Sequence, residues 1–295
     1  MRATERQLSI CSGVKFDTPM WRTLPACLQS LKHLNYPNYE VILVDDGSTD
    51  GSAEFLTSLP EIRILHSEGI GVARARNFGA SHATGQVVVF CDAHIRAPEN
   101  WYLPVLQALE DPRVGACAPG IYSLLEPDRR GYGLFIDGPD LHASWHAKRP
   151  DAPLEVAVLP GCFLAMRREV FEATGGFDPG MRQLGGNDNE VSFRLWTFGY
   201  KLLILPQVEV GHLFRTVAPY ETTWASVVHN RLRMAMVHFD AARVERVVEA
   251  LVQYERFPAG LALMTGGDHA ERRIAVAKRR KFDDVSYFNA FDLTC

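Results

Sequence analysis

Five apolar residues, Val87 to Cys91, run without a polar break and end directly in Asp92-Ala93-His94. Such a run predicts a strand buried on both faces, as in the middle of a parallel sheet. Pro98 bars a long regular continuation. Shorter runs repeat the pattern at residues 10–16, weakened by Gly13 and Lys15, at 41–44 and at 62–65. Helical spacing fills the gaps. Pro19 suits the first turn of a helix through Leu34, with Trp21, Leu24, Leu28 and Leu31 on one face. Ser48, Thr49 or Asp50 offers a cap to a helix through residue 59, and Gly69-Ile70-Gly71 opens one carrying Arg74 and Arg76. Strand alternating with helix up to residue 110 predicts a right-handed, mostly parallel sheet.

From Val114 the alternation weakens. Residues 119–153, rich in Gly, Pro, Asp and Arg, read as an ordered excursion or a mobile loop. Strand character resumes over 156–166, followed by a short helix over 168–173 and a turn at Gly175-Gly176. After Leu184-Gly185-Gly186 a helix is predicted over 188–198. Residues 200–205 and 208–210 read as two further strands, the second delivering Gly211-His212-Leu213-Phe214-Arg215. Residues 221–250 read as largely helical; beyond Pro258 the clear signal is a basic helical stretch over 271–281. The fold class expected is α/β, a mostly parallel central sheet flanked by helices, over residues 1–215. Its first half would be about 1–118 and its second 119–215, with a mainly helical C-terminal extension over 216–295.

Composition narrows the partners. A net charge of -4 gives no reason to expect nucleic acid or an anionic membrane. No apolar run approaches the roughly 20 residues that span a bilayer, so no transmembrane segment is expected. The opening M-R-A-T-E-R-Q-L-S-I lacks the apolar core of a secretion signal. Six cysteines are scattered, mostly inside apolar runs and without a C-x-x-C pair. They read as reduced, buried thiols of a cytoplasmic protein.

The candidate chemistry lies at the strand ends. In an open α/β sheet, ligands bind beyond the carboxyl ends of the strands. Asp92 and His94 there offer a hard oxygen and a borderline nitrogen to one divalent cation. An isolated D-x-H is more often a polar turn, and a lone His212 more often a satisfied structural residue. Together, at strand ends on one edge, the three make a site for Mn2+ or Mg2+ completed by diphosphate oxygens. Asp46, in Asp45-Asp46-Gly47-Ser48, can accept from a pyrimidine N–H or a ribose hydroxyl, or else belong to a capped turn. Arg74 and Arg76 can pair with phosphates, or be solvated helix charges. Asp188 and Glu190 open a helix where the dipole favours acids, and either can accept a proton from a hydroxyl. Glu190 stands four residues before Arg194, the spacing of a surface ion pair.

In order, these segments resemble the nucleotide-sugar-binding (GT-A) glycosyltransferases, in particular family 2. V-I-L-V-D-D-G-S-T-D, G-I-G-V-A-R-A-R-N-F-G-A and A-T-G-Q-V-V-V-F-C-D-A-H are that family's signposts. The second half looks more specifically like the catalytic domain of polypeptide N-acetylgalactosaminyltransferases. It carries P-G-C-F-L-A-M-R-R-E-V-F, G-G-F-D-P-G-M, G-G-N-D-N-E-V-S-F-R-L-W and V-G-H-L-F-R in the same order. The resemblance covers residues 8–240 and implies a Rossmann-like GT-A fold. It implies Asp92 and His94 as the D-x-H metal motif, His212 as the third ligand and Asp46 as the uridine-contacting acid. Lys15 falls near the first-strand nucleotide contact. Gly161 and Cys162 fall where paired glycines line the donor sugar, a space the cysteine narrows. Leu184 replaces a tryptophan, Asn187 replaces the first acid of G-G-E-N, and Asp188 supplies an acid one position later.

The function the resemblance implies is metal-dependent transfer from a nucleotide diphosphate sugar, a UDP-sugar, to a hydroxyl acceptor. That acceptor is a peptide, a glycan or a lipid-linked sugar. Asp188 is the expected base if the anomeric centre inverts, the outcome slightly favoured. If configuration is retained, Asn187 and Asp188 hold the sugar. Residues 119–153 and the loop after Arg215 are expected lids. The lack of a lectin domain or membrane anchor in the sequence points to a cytoplasmic, microbial relative. A sugar-nucleotide pyrophosphorylase is the rival enzyme, but C-S-G-V-K-F-D-T lacks its phosphate loop. A non-catalytic sugar-nucleotide-binding protein is the rival outside enzymes, and the presence of Asp92, His94 and His212 together speaks against it.

Overall fold

The apolar run Val87–Cys91 is a strand with every residue buried. In the computed structural model, which describes residues 7–14, 23–32, 36–49, 51, 62–215 and 223–294, it lies in the middle of a ten-stranded sheet. The strands of the first half are β1 (Leu8–Val14), β2 (Tyr39–Asp45), β3 (Arg63–His66), β4 (Val87–Cys91), β5 (Ile95–Arg96) and β6 (Val114–Ser123). Those of the second are β7 (Arg130–Gly131), β8 (Leu134–Ile136), β9 (Ala143–Trp145), β10 (Leu154–Glu155), β11 (Phe163–Arg167) and β12 (Lys201–His212). Helices α1 (Leu24–Lys32), α2 (Val72–Ser81), α3 (Tyr102–Ala108), α4 (Arg168–Thr174) and α5 (Asn187–Thr197) flank the sheet. A C-terminal group follows: α6 (Trp224–His238), α7 (Ala241–Leu251), α8 (Phe257–Ala262), α9 (His269–Ala277) and α10 (Asp284–Ala290).

The sheet order is β10-β12-β6-β11-β4-β1-β2-β3. Strands β3, β2, β1 and β4 are mutually parallel, as the alternation predicts. Strand β11 then inserts antiparallel between β4 and β6, making the whole sheet mixed. That reversal matters for the site. Phe163, the first residue of β11, pairs with Cys91, the last of β4, so Gly161 and Cys162 arrive at the carboxyl edge beside Asp92. Both sheet faces are covered. Val88 and Phe90 enter one apolar cluster with Phe171 and Phe177, while Val87, Val89 and Cys91 enter another with Trp101 and Phe163. This is the period-two alternation of a strand packed on both sides. Burying a side chain such as Phe90 contributes about 1.5–3 kcal/mol.

Several expected boundaries move. The two strands expected over 200–205 and 208–210 are one strand, β12, with a register shift between Leu205 and Glu209. Pro206 has no N–H to give the ladder, and the irregularity absorbs it. The excursion is ordered: β6 runs on to Ser123, and β8 and β9 form a separate hairpin. It is tied down by Asp140, which accepts from Arg231 Nη1 at 2.8 Å, and by Leu141 O, which accepts from Asn189 Nδ2 at 3.0 Å. The helical tail breaks at Asp240, whose carboxylate accepts from Arg243 N and caps α7. The end of the chain packs back on the core, Tyr287 donating to Ala157 O at 2.7 Å. Lys15, the helix over 48–59 and the loop following Arg215 lie partly or wholly outside the described residues.

Candidate functional site

Three chain segments meet at the carboxyl edge of the sheet. Asp92 is the first residue past β4, and its N–H donates to Cys162 O at 3.0 Å. His212 is the last residue of β12, paired with Ile95 of β5. Leu213 N donates to His94 O at 3.1 Å, which fastens the two histidine-bearing segments together. One carboxylate oxygen and one imidazole nitrogen from each of Asp92, His94 and His212 thereby lie within 4.8 Å of one another. Asp92 Oδ2 is 3.2 Å from His212 Nε2 and 3.8 Å from His94 Nε2. The two rings stand 4.7 Å apart at 47°, and His212 packs edge-on against Phe214.

Electrostatics prepares these groups for a cation. Burial alone would raise the Asp92 carboxyl, but the His212 hydrogen bond and the charges of His94, His212 and Arg76 hold it well below the usual carboxylate range. Burial pushes His94 down to about 4, helped by His212 and Arg215 and opposed by Asp92. Near neutral pH the cluster therefore offers an ionised carboxylate and, at His94, a neutral imidazole, the forms that ligate metals. The Nδ1 atoms of both rings are buried without a hydrogen-bond partner among the described residues, while His212 Nε2 is engaged with the Asp92 carboxylate. One hard oxygen with two borderline nitrogens fits a divalent first-row cation.

Arg76 links this cluster to the next. Buried in α2, it donates from Nη2 to Gly161 O at 2.7 Å and lies 3.4 Å from Asp92 Oδ1. Its Nη1 faces Asp188 Oδ1 at 3.6 Å, and the guanidinium lies 5.1 Å from the centre of the Phe177 ring. Asp188, on the first turn of α5, accepts from Gly161 N at 3.0 Å while its side chain stays 39% exposed. Burial raises its carboxyl above the ordinary value against the pull of Arg76. A Cβ at Gly161 would come within 2.0 Å of Asp188 Oδ1, so a side chain there would displace that carboxylate. Cys162 is half-buried, its thiol pushed up by burial and by both acids, and so stays uncharged. Asn187 is buried, and neither amide atom has a partner among the described residues.

Other expected members go elsewhere. Glu190 is fully buried, paired with Arg194 Nε at 2.7 Å and His238 Nε2 at 3.0 Å, and cannot meet an acceptor hydroxyl. Burial would raise its carboxyl, but Arg194 and His238 hold it far below the ordinary range. The ion pair with Arg194 exists, yet inside the protein, because that face of α5 packs on α6. Asp46 is buried; it accepts from Ser67 Oγ at 2.8 Å, Ile70 N at 2.7 Å and Gly71 N at 2.8 Å, and so anchors the turn ahead of α2. Gly71, at φ 86°, is a residue that turn requires. Arg74 is exposed and donates to Pro179 O at 2.7 Å; two positions from Arg76 it leaves the helix on roughly the opposite side. Phe177 was not foreseen. Asn77 holds its backbone on both sides, at 2.8 and 2.9 Å, which places the ring beneath Arg76. A polar residue on the inner face of α2 was the available signal.

A family model described as glycosyl transferase family 2 matches residues 17–175, and one described as the N-terminal domain of galactosyltransferase matches 141–218. Polypeptide N-acetylgalactosaminyltransferase 11 of Xenopus tropicalis is 35% identical over 229 residues, 68% of this chain and 37% of that protein. Polypeptide N-acetylgalactosaminyltransferase 10 of Mus musculus is 30% identical over 269 residues, 84% of this chain and 44% of that protein. The chain thus spans less than half the length of these curated relatives. The crystal structure of GalNAc-T7 with UDP, GalNAc and Mn2+ matches with a TM-score of 0.79 at 21% identity, covering 97% of this chain and 57% of that one. A Pyrobaculum calidifontis mannosyltransferase in complex with GDP-Man and Mn2+ matches at 0.52 with 17% identity, covering 97% and 75%. The fold is the α/β arrangement those structures share.

The relatives overturn the expectation of a cytoplasmic, microbial protein, because they come from animals. The thiol argument fails for a physical reason. Cys11, Cys27, Cys91 and Cys117 are buried core residues, shielded by packing whatever the redox state outside. No helix among the described residues is long and apolar enough to cross a membrane.

Proposed function

Because the chain belongs to glycosyl transferase family 2, we propose that it transfers a sugar from a UDP-sugar to a peptide hydroxyl, with a divalent cation held by Asp92, His94 and His212. The convergence of those three side chains, from segments 120 residues apart, carries the reading. The UDP and Mn2+ of a structural neighbour and the polypeptide acceptors named for the relatives support the donor, metal and acceptor classes. Imidazole ligands favour Mn2+ over Mg2+, which prefers oxygen. When bound, such a cation neutralises charge building on the departing diphosphate.

The remaining roles belong to the chain itself. Arg76 keeps Asp92 and Asp188 at fixed spacing, so the metal side and the reacting side of the cleft stay in register. Gly161 and Cys162 line the donor between them, and Asn187 offers it an unpaired amide. Asp188 holds Gly161 and Arg76 and presents its free edge to the cleft. A product of inverted configuration would assign it the acceptor proton, and a retained one leaves it the holding role. We assign residues to about 118 to a nucleotide half and 119–215 to an acceptor half that also lends Gly161, Cys162, Asn187 and His212 to the donor site, with 216–295 a mainly helical C-terminal extension.

The test is a panel of nucleotide sugars incubated with and without Mn2+ and a threonine-bearing peptide. Metal-dependent release of UDP with sugar transfer is expected, followed by anomeric analysis of the product. UDP binding without release of nucleotide from any donor would overturn the reading in favour of a non-catalytic binder.

A further inference from the structure

Near Phe214 a cavity of about 640 Å3 is lined by Asp128, Arg129, Arg130, Tyr132, Arg149 and Glu209. Three guanidinium groups there face two carboxylates, and Glu209 is already bound by the Tyr132 hydroxyl and by Arg130 Nε at 3.5 Å. Arg149 gives one N–H to Pro206 O at 2.7 Å and has no carboxylate partner among the described residues. The acid facing Arg129 is the exposed Glu126, at 4.0 Å. The cavity therefore presents fork-shaped cations whose hydrogen-bond capacity the protein leaves largely unused, the chemistry that recognises carboxylates.

Its position ties it to the transfer site. The Arg129 guanidinium lies 5.9 Å from the centre of the Phe214 ring, and the same ring packs against His212 at 4.5 Å. Trp145 meets Phe214 edge-on at 6.0 Å, seated against Gly131, where a Cβ would come within 2.2 Å of it. Aromatic surface thus runs from the metal cluster to the cavity. Arg149 also borders a second cavity of about 680 Å3 beside Pro153 and Pro206. By way of the Phe214 ring the Arg129 guanidinium lies at most about 10 Å from the His212 imidazole, the reach of about three extended residues.

We infer that this cavity binds the acidic side chains of an extended acceptor peptide, with a carboxylate about three residues from the hydroxyl that receives the sugar. The inference rests on the transferase reading above and narrows its acceptor to acidic peptides. The test uses the full chain and three fluorescein-labelled peptides, each with one threonine and with Glu, Gln or Lys three and four residues away. Binding is followed by fluorescence anisotropy with UDP and Mn2+ present, and UDP binding is measured separately by calorimetry. The Glu peptide should bind about fivefold more tightly than the Gln peptide at low salt, with the difference closing as salt rises. Arg129→Ala and Arg149→Ala, both at exposed side chains, should each reduce that preference and leave Gln-peptide and UDP binding unchanged. Equal binding of the Glu and Gln peptides, or an undiminished preference in the double variant, would overturn the inference. So would arginine-dependent binding of a hyaluronan oligosaccharide in place of the peptide. Loss of UDP binding, by contrast, would strike the transferase reading and not the peptide result.

Discussion

Two clusters in this protein gather the same kinds of side chain and do opposite things with them. At the sheet edge, His94, His212 and Arg76 surround the Asp92 carboxylate, which remains 30% exposed, with imidazole nitrogens at 3.2 and 3.8 Å. Some residues away, Glu190 and Asp178 sit among Arg194, Arg233, Arg272 and His238 with both acids essentially sealed from solvent. Every oxygen of the second pair is taken: Arg233 holds Asp178 at 2.8 Å through two nitrogens, and Arg194 holds both oxygens of Glu190. A buried network whose carboxylate oxygens are all taken ties α5, α6 and α9 together. An open, under-coordinated one leaves room for a cation and a substrate. The charge inventory does not separate a site from a brace; unused coordination at an accessible edge does.

Breaking the open cluster should cost the most in activity. Asp92→Ala removes the shared ligand, and metal-stimulated turnover should fall on the order of a thousandfold while circular dichroism stays native. Full activity in that variant would end the comparison. Glu190→Gln strikes the closed cluster instead. Leaving Arg194 and His238 with an uncharged partner in a buried site should cost about 3–5 kcal/mol of stability, read by urea unfolding, with Mn2+ affinity of the folded fraction unchanged. A variant as stable as the native chain would show that the network is not a brace.

Gly161→Ala probes the join between the loop ahead of β11 and Asp188. The new methyl would press on Asp188, and a displacement near 1 Å should lower turnover about a hundredfold, more than it lowers UDP binding. The smallest effect is a pH dependence. Burial lowers the His238 pKa in the folded state, against the pull of Glu190, so the unfolded chain takes the proton first. Stability should therefore decline as pH falls below about 6.5, by at most about 1.4 kcal/mol per unit from this group. In His238→Gln that part of the decline should disappear; an unchanged slope would assign it to other groups.

Much of the open cluster was legible in the chain. An apolar run ending in D-x-H announces a buried strand delivering ligands to an edge, and V-E-V-G-H does the same for β12, because burial and strand period leave local marks. Gly69-Ile70-Gly71 likewise marked the start of α2. The rest depended on which distant segments came to lie side by side. Glu190 and Asp188 are two residues apart on one helix and look equivalent in sequence, yet α6 covers one and the cleft opens on the other. Arg74 and Arg76 differ in the same way, and Asp46 looked like a ligand group until the turn before α2 folded over it. The antiparallel insertion of β11, which brings Gly161 under Asp188, leaves no periodic trace at all. Sequence pattern records how each segment is buried; which carboxylate keeps a free lone pair is settled only by the neighbours that tertiary packing supplies.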